Sequence, residues 1–175
     1  MILYPAVRFD LNEWFVIFSS VIGVSAVLLL PKRFTPVLTT FILTFNIFLA
    51  HTVDFLIGFP PYDLYDVNDT PKYEIMDYVL YAVSYPPFTY IFLYLCDRWK
   101  LGGIRLVLFI IGWSLLTQGF EWLATLAHVF TYKGWRILYS LFVYLGVYII
   151  NILIFRLAQH LLQQKRITHW GRGES

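Results

Sequence analysis

Two carboxylates and two histidines lie in stretches of the chain that are otherwise apolar. His51 and Asp54 are three residues apart in one stretch, and Glu121 and His128 are seven apart in another. Spacings of three and seven residues return to the same face of an α-helix, so each pair is predicted to share a face. Carboxylates and neutral imidazoles are ligands for zinc or another transition metal. A buried carboxyl group can also exchange a proton.

The composition places these residues in a membrane. The 175 residues are 59% apolar, 20% aromatic and 14% charged, whereas soluble domains carry roughly 25% charged residues. So short a soluble chain could not bury this much apolar surface, which excludes a soluble enzyme. A single cysteine, Cys96, excludes an intramolecular disulfide and a thiolate metal cluster. The sequence has no long basic block, and nucleic-acid binding therefore has no support.

Five apolar runs are long enough to cross a bilayer as α-helices. The predicted fold is an all-α bundle of five transmembrane helices in residues 1–162, followed by a polar tail at 163–175. The predicted helices cover residues 11–30, 36–57, 73–95, 104–130 and 137–157, the last with an extension to 162. Asp10 and Glu13 have the spacing of a capping box before the first helix. Pro86 and Pro87 are expected to bend the third.

The basic residues predict the orientation of the bundle. An odd number of spans puts the two termini on opposite sides, with nine lysines and arginines on one side and four on the other. The nine are Lys32, Arg33, Arg98, Lys100, Arg105, Arg156, Lys165, Arg166 and Arg172. The positive-inside rule therefore predicts an amino terminus outside and a cytoplasmic tail. The loop at 58–71, which carries Asp63, Asp66 and Asp69, is then extracytoplasmic.

Polar side chains are predicted to follow one face of the second helix and one face of the fourth. At 100° per residue these faces contain Thr40, Thr44, His51 and Asp54 on the second helix, and Ser114, Thr117, Gln118, Glu121, Thr125 and His128 on the fourth. A rise of about 1.5 Å per residue puts both ionisable pairs in the outer half of the bundle. Asp77 enters from the same side, and the fifth helix can add Ser140, Tyr144 and Asn151. We therefore expect one acidic, histidine-containing cavity that opens toward the 58–71 loop.

This cavity predicts a small transport, channel or ion-sensing component that binds or relays a cation or proton, with Glu121 as its central acid. The candidate residues are Glu121, Asp54, His51, His128, Gln118 and Asp77. A divalent metal ion would use His51, Asp54, Glu121 and His128 as ligands, although no cofactor is required.

Two other interpretations stay open, and an enzyme is the less favoured of them. In an accessory or scaffold subunit, the polar residues would form interhelical hydrogen bonds, and the partner would be another membrane protein or a second copy of the chain. A stripe formed by Ser19, Gly23 and Ala26 would permit close approach of helices, within this bundle or between proteins. An intramembrane hydrolase would need either a serine beside His51 or His128, or a metal ion held by Asp54, Glu121 and the two histidines. No sequence motif fixes either geometry. The candidate serines are Ser84, Ser114 and Ser140.

The whole-chain layout resembles a group of small five-span integral membrane proteins of unassigned function from spore-forming bacteria of the Bacillus type. The resemblance is carried by the size, the span order, Pro86-Pro87 and the segment Phe120-Glu121-Trp122. It implies a multi-pass protein of the bacterial cytoplasmic membrane. It implies no activity and no site residue.

Overall fold

A computed structural model describes residues 3–170 of the chain, with side chains described as far as Gln164. It contains five helices that are long and apolar enough to cross a membrane, which confirms a multi-pass membrane protein. The helices are α1 (Leu11–Leu29), α2 (Pro36–Gly58), α3 (Ile75–Val79), α4 (Tyr85–Arg98), α5 (Gly103–Leu126) and α6 (Ile137–Trp170). A π-helical turn at Leu80–Ser84 joins α3 to α4, so these three segments form one span. The strands β1 (Tyr65–Val67) and β2 (Phe130–Tyr132) pair in antiparallel fashion.

Local sequence signals account for most helix ends. The backbone N–H of Asp10 donates to Glu13 Oε2 at 2.8 Å, as the predicted capping box requires. Pro36 is the first residue of α2, where its missing N–H leaves no partner unsatisfied. The helix α6 runs through residue 170, eight residues beyond the predicted extension, and the added residues 163–170 contain no glycine or proline. The predicted polar tail is thus helical in its first part, and residues 171–175 lie outside the described residues.

The helix α5 ends at Leu126, four residues earlier than predicted. The N–H of Val129 donates to the carbonyl of Ala124 at 2.9 Å, and the N–H of His128 donates to that of Thr125 at 3.1 Å. These two bonds form a Schellman motif, in which the residue after the helix adopts a left-handed conformation. His128 occupies that position with φ of 61°. The prediction that His128 lies on a helical face is therefore wrong.

The predicted bend in the third span is a change of helix type. Pro86 and Pro87 lack N–H donors, and the five residues before Tyr85 widen into the π-helical turn. The hydroxyl of Ser84 lies in this turn, 2.6 Å from the hydroxyl of Ser20. Gly23 faces the same region, and a Cβ atom on it would lie 3.2 Å from Pro87 Cβ. The predicted small-residue stripe thus packs within the bundle, against the third span.

Replacing Gly23 by valine is expected to destabilise the protein by about 1–3 kcal/mol, because the branched side chain would overpack the contact with Pro87. The matched control is Gly112→Val, since a Cβ atom at Gly112 meets nothing within 4 Å. Thermal unfolding of both variants in mild detergent measures the difference. Equal melting temperatures would show that the close approach does not stabilise the bundle.

Two clusters of buried side chains form the core. One joins α2, α4, α5 and α6 around Phe92 and Tyr148, and the other joins α1, the third span and the two strands around Tyr81 and Val129. A cavity of ≈ 170 Å³ has wall residues from both clusters. The site described below lies in this cavity.

Candidate functional site

Glu121 is the most heavily hydrogen-bonded carboxylate in the described part of the chain. It lies five residues before the end of α5, and 8% of its surface is exposed. Tyr132 and Ser140 donate to its Oε1 at 2.6 and 2.7 Å, and Tyr144 donates to its Oε2 at 2.8 Å. All three donors are hydroxyl groups. The carboxylate is therefore solvated by neutral groups from β2 and α6, and no cation neutralises it among the described side chains.

Asp54 faces the same cavity from α2. It lies four residues before the end of that helix, and its Oδ1 accepts a hydrogen bond from the hydroxyl of Tyr65 in β1. Asp54 and Glu121 both line the 170 Å³ cavity. At about 1.5 Å per residue, they lie about 6 and 8 Å below the ends of their helices. One carboxylate from each predicted polar face thus lines the same cavity.

The strand pair connects the two carboxylates. Tyr65 lies directly opposite Tyr132 in the antiparallel register, so the two side chains project from the same face of the pair. One hydroxyl donates to Asp54 and the other to Glu121. Burial raises the pKa of both phenols above the usual value, and the neighbouring carboxylates raise it further. Both tyrosines therefore stay protonated and act as donors.

Two loops hold the strands in place, and we call residues 59–74 and 127–136 together the cap. The N–H groups of Lys133, Gly134 and Trp135 all point to the carbonyl of Leu64, at 2.9 to 3.1 Å. The Lys133 ammonium bridges the loops, 2.8 Å from Asp66 and 3.0 Å from Asp63. The acidic loop is thus partly neutralised within the cap, and the cap residues Tyr65, Phe130, Tyr132 and Trp135 line the cavity.

Most of the cavity wall is apolar. Aliphatic and aromatic side chains such as Phe15, Leu49, Val53, Phe88 and Val143 surround the polar groups. The polar part consists of the two carboxylates, their hydroxyl donors and a few further side chains, including Asn46, whose amide donates to Asn151 at 2.8 Å. A cavity that contains both carboxylates therefore lies near the ends of α2 and α5, and none of the described residues that line it is a histidine.

The two histidines lie outside the cavity wall. His51 donates from Nδ1 to the carbonyl of Ile47 at 2.8 Å, because a carbonyl can only accept, and its Nε2 then accepts from Tyr73 at 2.7 Å. Both ring nitrogens are occupied. His128 is exposed at the end of α5. The predicted four-ligand metal set of His51, Asp54, Glu121 and His128 is therefore not assembled.

Two other predicted site residues join structural networks. Gln118 donates to the carbonyl of Ile137 at 2.9 Å and so connects α5 to α6. Asp77 is 3% exposed and accepts from Asn68 at 2.6 Å and from the N–H of Glu74 at 2.7 Å. Neither residue lines the 170 Å³ cavity.

The hydrolase geometry is absent from the described side chains. Ser84 pairs with Ser19 and Ser20, Ser140 donates to Glu121, and the buried hydroxyl of Ser114 has no partner. No serine–histidine hydrogen bond occurs in the part of the chain whose side chains are described.

Sequence reasoning missed the two cap tyrosines. Tyr65 and Tyr132 lie in segments that were predicted to be loops, and each is eleven residues from the carboxylate that it binds. No periodicity signals such a contact, since it depends on the pairing of two strands that are distant in the chain. Ser140 and Tyr144 were found, because their spacing puts them on one face of α6.

Replacing Tyr132 by phenylalanine is expected to cost about 1–2 kcal/mol, because it removes one of three donors from a buried carboxylate. The matched control is Tyr139→Phe, which deletes the same hydroxyl from a side chain that is 44% exposed. Thermal unfolding in detergent compares the two variants. A Tyr132 variant as stable as the control would contradict a stabilising bond to Glu121.

Comparisons with protein-family models, with curated proteins and with solved structures gave no match to this chain.

Proposed function

We propose that this protein binds a proton or a small cation between Asp54 and Glu121, as a small transport, channel or ion-sensing component of a membrane. The observation that carries the proposal is the presence of two carboxylates in one largely apolar cavity, with hydroxyl groups as their hydrogen-bond donors. The nine-to-four distribution of basic residues supports a cap that faces the outside.

An unpaired charge is costly in a membrane. A carboxylate at the bilayer centre costs about 2.5–3.5 kcal/mol on insertion scales, and two in one cavity also repel each other. The described salt bridges involve other acids, namely Asp63, Asp66 and Asp97. A proton or an incoming cation would relieve this unbalanced charge.

The chemistry of the wall favours a proton or a monovalent cation over a transition metal. Among the described residues that line the cavity there is no imidazole and no thiolate, the ligands that select zinc and its neighbours. The hydroxyls of Tyr132, Ser140 and Tyr144 can donate to an ionised Glu121, and one of them can rotate to accept when Glu121 is protonated. The same three hydroxyl groups can therefore hydrogen-bond to both the ionised and the protonated form of the carboxyl group.

The test is the thermal stability of purified protein in mild detergent, from about pH 5 to 8 and with a panel of monovalent cations. A ligand that binds only the folded state, at 100 times its dissociation constant, stabilises by about 2.7 kcal/mol. We expect a cation response in the wild type and in the control His128→Gln, and a strongly weakened one in Glu121→Gln. Identical responses in all three proteins would reject the proposal. Flux into proteoliposomes then separates transport from sensing.

A further inference from the structure

A second group of carboxylates lies at the cap end of the bundle. Glu13 is in the first turn of α1, Asp69 is in the loop before the third span, and Glu74 precedes α3. Each offers an oxygen within 4.8 Å of the other two. Glu13 and Glu74 are fully buried, whereas Asp69 is exposed. None of the three lines the cavity that contains Glu121.

Three buried oxygens at this cluster have no hydrogen-bond donor among the described residues. They are Glu13 Oε1, Glu74 Oε2 and Asn12 Oδ1. Asn12 is not one of the carboxylates, and it is 1% exposed. Its Nδ2 donates to Asp69 Oδ1 at 3.0 Å, which holds the amide against the cluster. Buried acceptors without a donor are rare in folded proteins, and a bound ion is one way to satisfy them.

No basic side chain in the described part of the chain neutralises this cluster. Arg8 contributes only its backbone N–H, which donates to Asp69 Oδ2 at 3.2 Å. The Lys72 ammonium lies over the ring of Tyr4, 4.7 Å from its centroid. Burial raises the pKa of Glu74, and the nearby Asp69 and Glu13 raise it further. The cluster therefore has an excess of negative charge and of acceptor atoms.

We propose that Glu13, Asp69, Glu74 and Asn12 bind a divalent cation of the calcium type. The available ligands are carboxylate and amide oxygens without imidazole or thiolate, a set that suits calcium better than zinc. Water can complete the coordination shell on the exposed side of Asp69. This site is separate from the Asp54–Glu121 cavity, so the inference goes beyond the proposed function.

Such an ion would join three segments of the chain at the cap. It would connect the start of α1 to the loop that carries Asp69 and to the start of the third span. The segment before α1 already bonds there, since the N–H of Tyr4 donates to Tyr73 at 3.1 Å and Ile75 donates back to Tyr4 at 2.9 Å. The cation would therefore stabilise the cap as a unit.

The test uses the purified full chain after treatment with a chelator. Calorimetry measures the affinity for added calcium, and thermal unfolding measures the shift in melting temperature that calcium causes. Asp69→Asn is the main variant, because it keeps the acceptor and lies on the surface. Asp63→Asn makes the same charge change in the same loop and is the matched control. We expect the dissociation constant to rise on the order of tenfold or more in Asp69→Asn, with little change in Asp63→Asn. Glu121→Gln is expected to bind calcium like the wild type, which separates this test from that of the proposed function.

The inference is overturned if the wild type shows no calcium response, or if both loop variants lose equal affinity.

Discussion

Replacing Glu121 by leucine is expected to destabilise the protein by about 2–5 kcal/mol, although leucine is apolar and fits a membrane. The reason is the loss of an acceptor shared by three hydroxyl groups, on Tyr132, Ser140 and Tyr144. A buried donor left unsatisfied costs about 1–3 kcal/mol. Interhelical hydrogen bonds in membranes average only about 0.6 kcal/mol each. The expected destabilisation is therefore smaller than three full penalties for unsatisfied donors.

Glu121→Gln is the matched control for the leucine variant, because glutamine keeps an acceptor oxygen and the side-chain length. It is expected to lose about 1 kcal/mol or less. Thermal or denaturant unfolding in detergent measures both variants. A leucine variant as stable as the wild type would mean that the hydroxyl shell around Glu121 contributes nothing to the fold.

The second large effect is on ion affinity. Two unit charges 4 Å apart interact by about 4 kcal/mol at an effective dielectric constant of 20, so removing a charge that contacts the ion should weaken binding on the order of a hundredfold or more. We expect this for Glu121→Gln and for Asp54→Asn, measured by cation titration of the melting temperature. If both carboxylates hold the same ion, the double variant loses less than the sum of the single losses. Strictly additive losses would place the two carboxylates in independent sites.

The sequence was sufficient to predict the five membrane-spanning helices and some of the residues of the candidate site. Runs of about 20 apolar residues define the five helices, and helical periodicity put Ser140 and Tyr144 on the face that meets Glu121. It did not show which face of α2 is buried. Thr40 and Thr44 share the predicted polar face but are exposed. Lipid is as apolar as the protein interior, so a hydrophobic pattern does not separate the two.

The remaining features depend on tertiary structure. The bonds from Tyr65 and Tyr132 require the pairing of two loops that are more than sixty residues apart, and no local signal encodes that register. His128 ends α5 in a left-handed conformation, which glycine usually adopts, so its sequence context suggested a continuing helix. Tyr73, which donates a hydrogen bond to His51, is 22 residues away in the chain and belongs to another segment.

Infrared difference spectroscopy tests the central claim most directly, because it observes the carboxyl groups themselves. The wild type would be titrated from about pH 5 to 8, and then with the monovalent cation that gives the largest thermal shift. We predict a carboxyl band that changes on cation binding in the wild type and in His128→Gln, and a change that is missing in Glu121→Gln. A wild-type spectrum with no carboxyl change on either titration, or the same change in Glu121→Gln, would contradict the account.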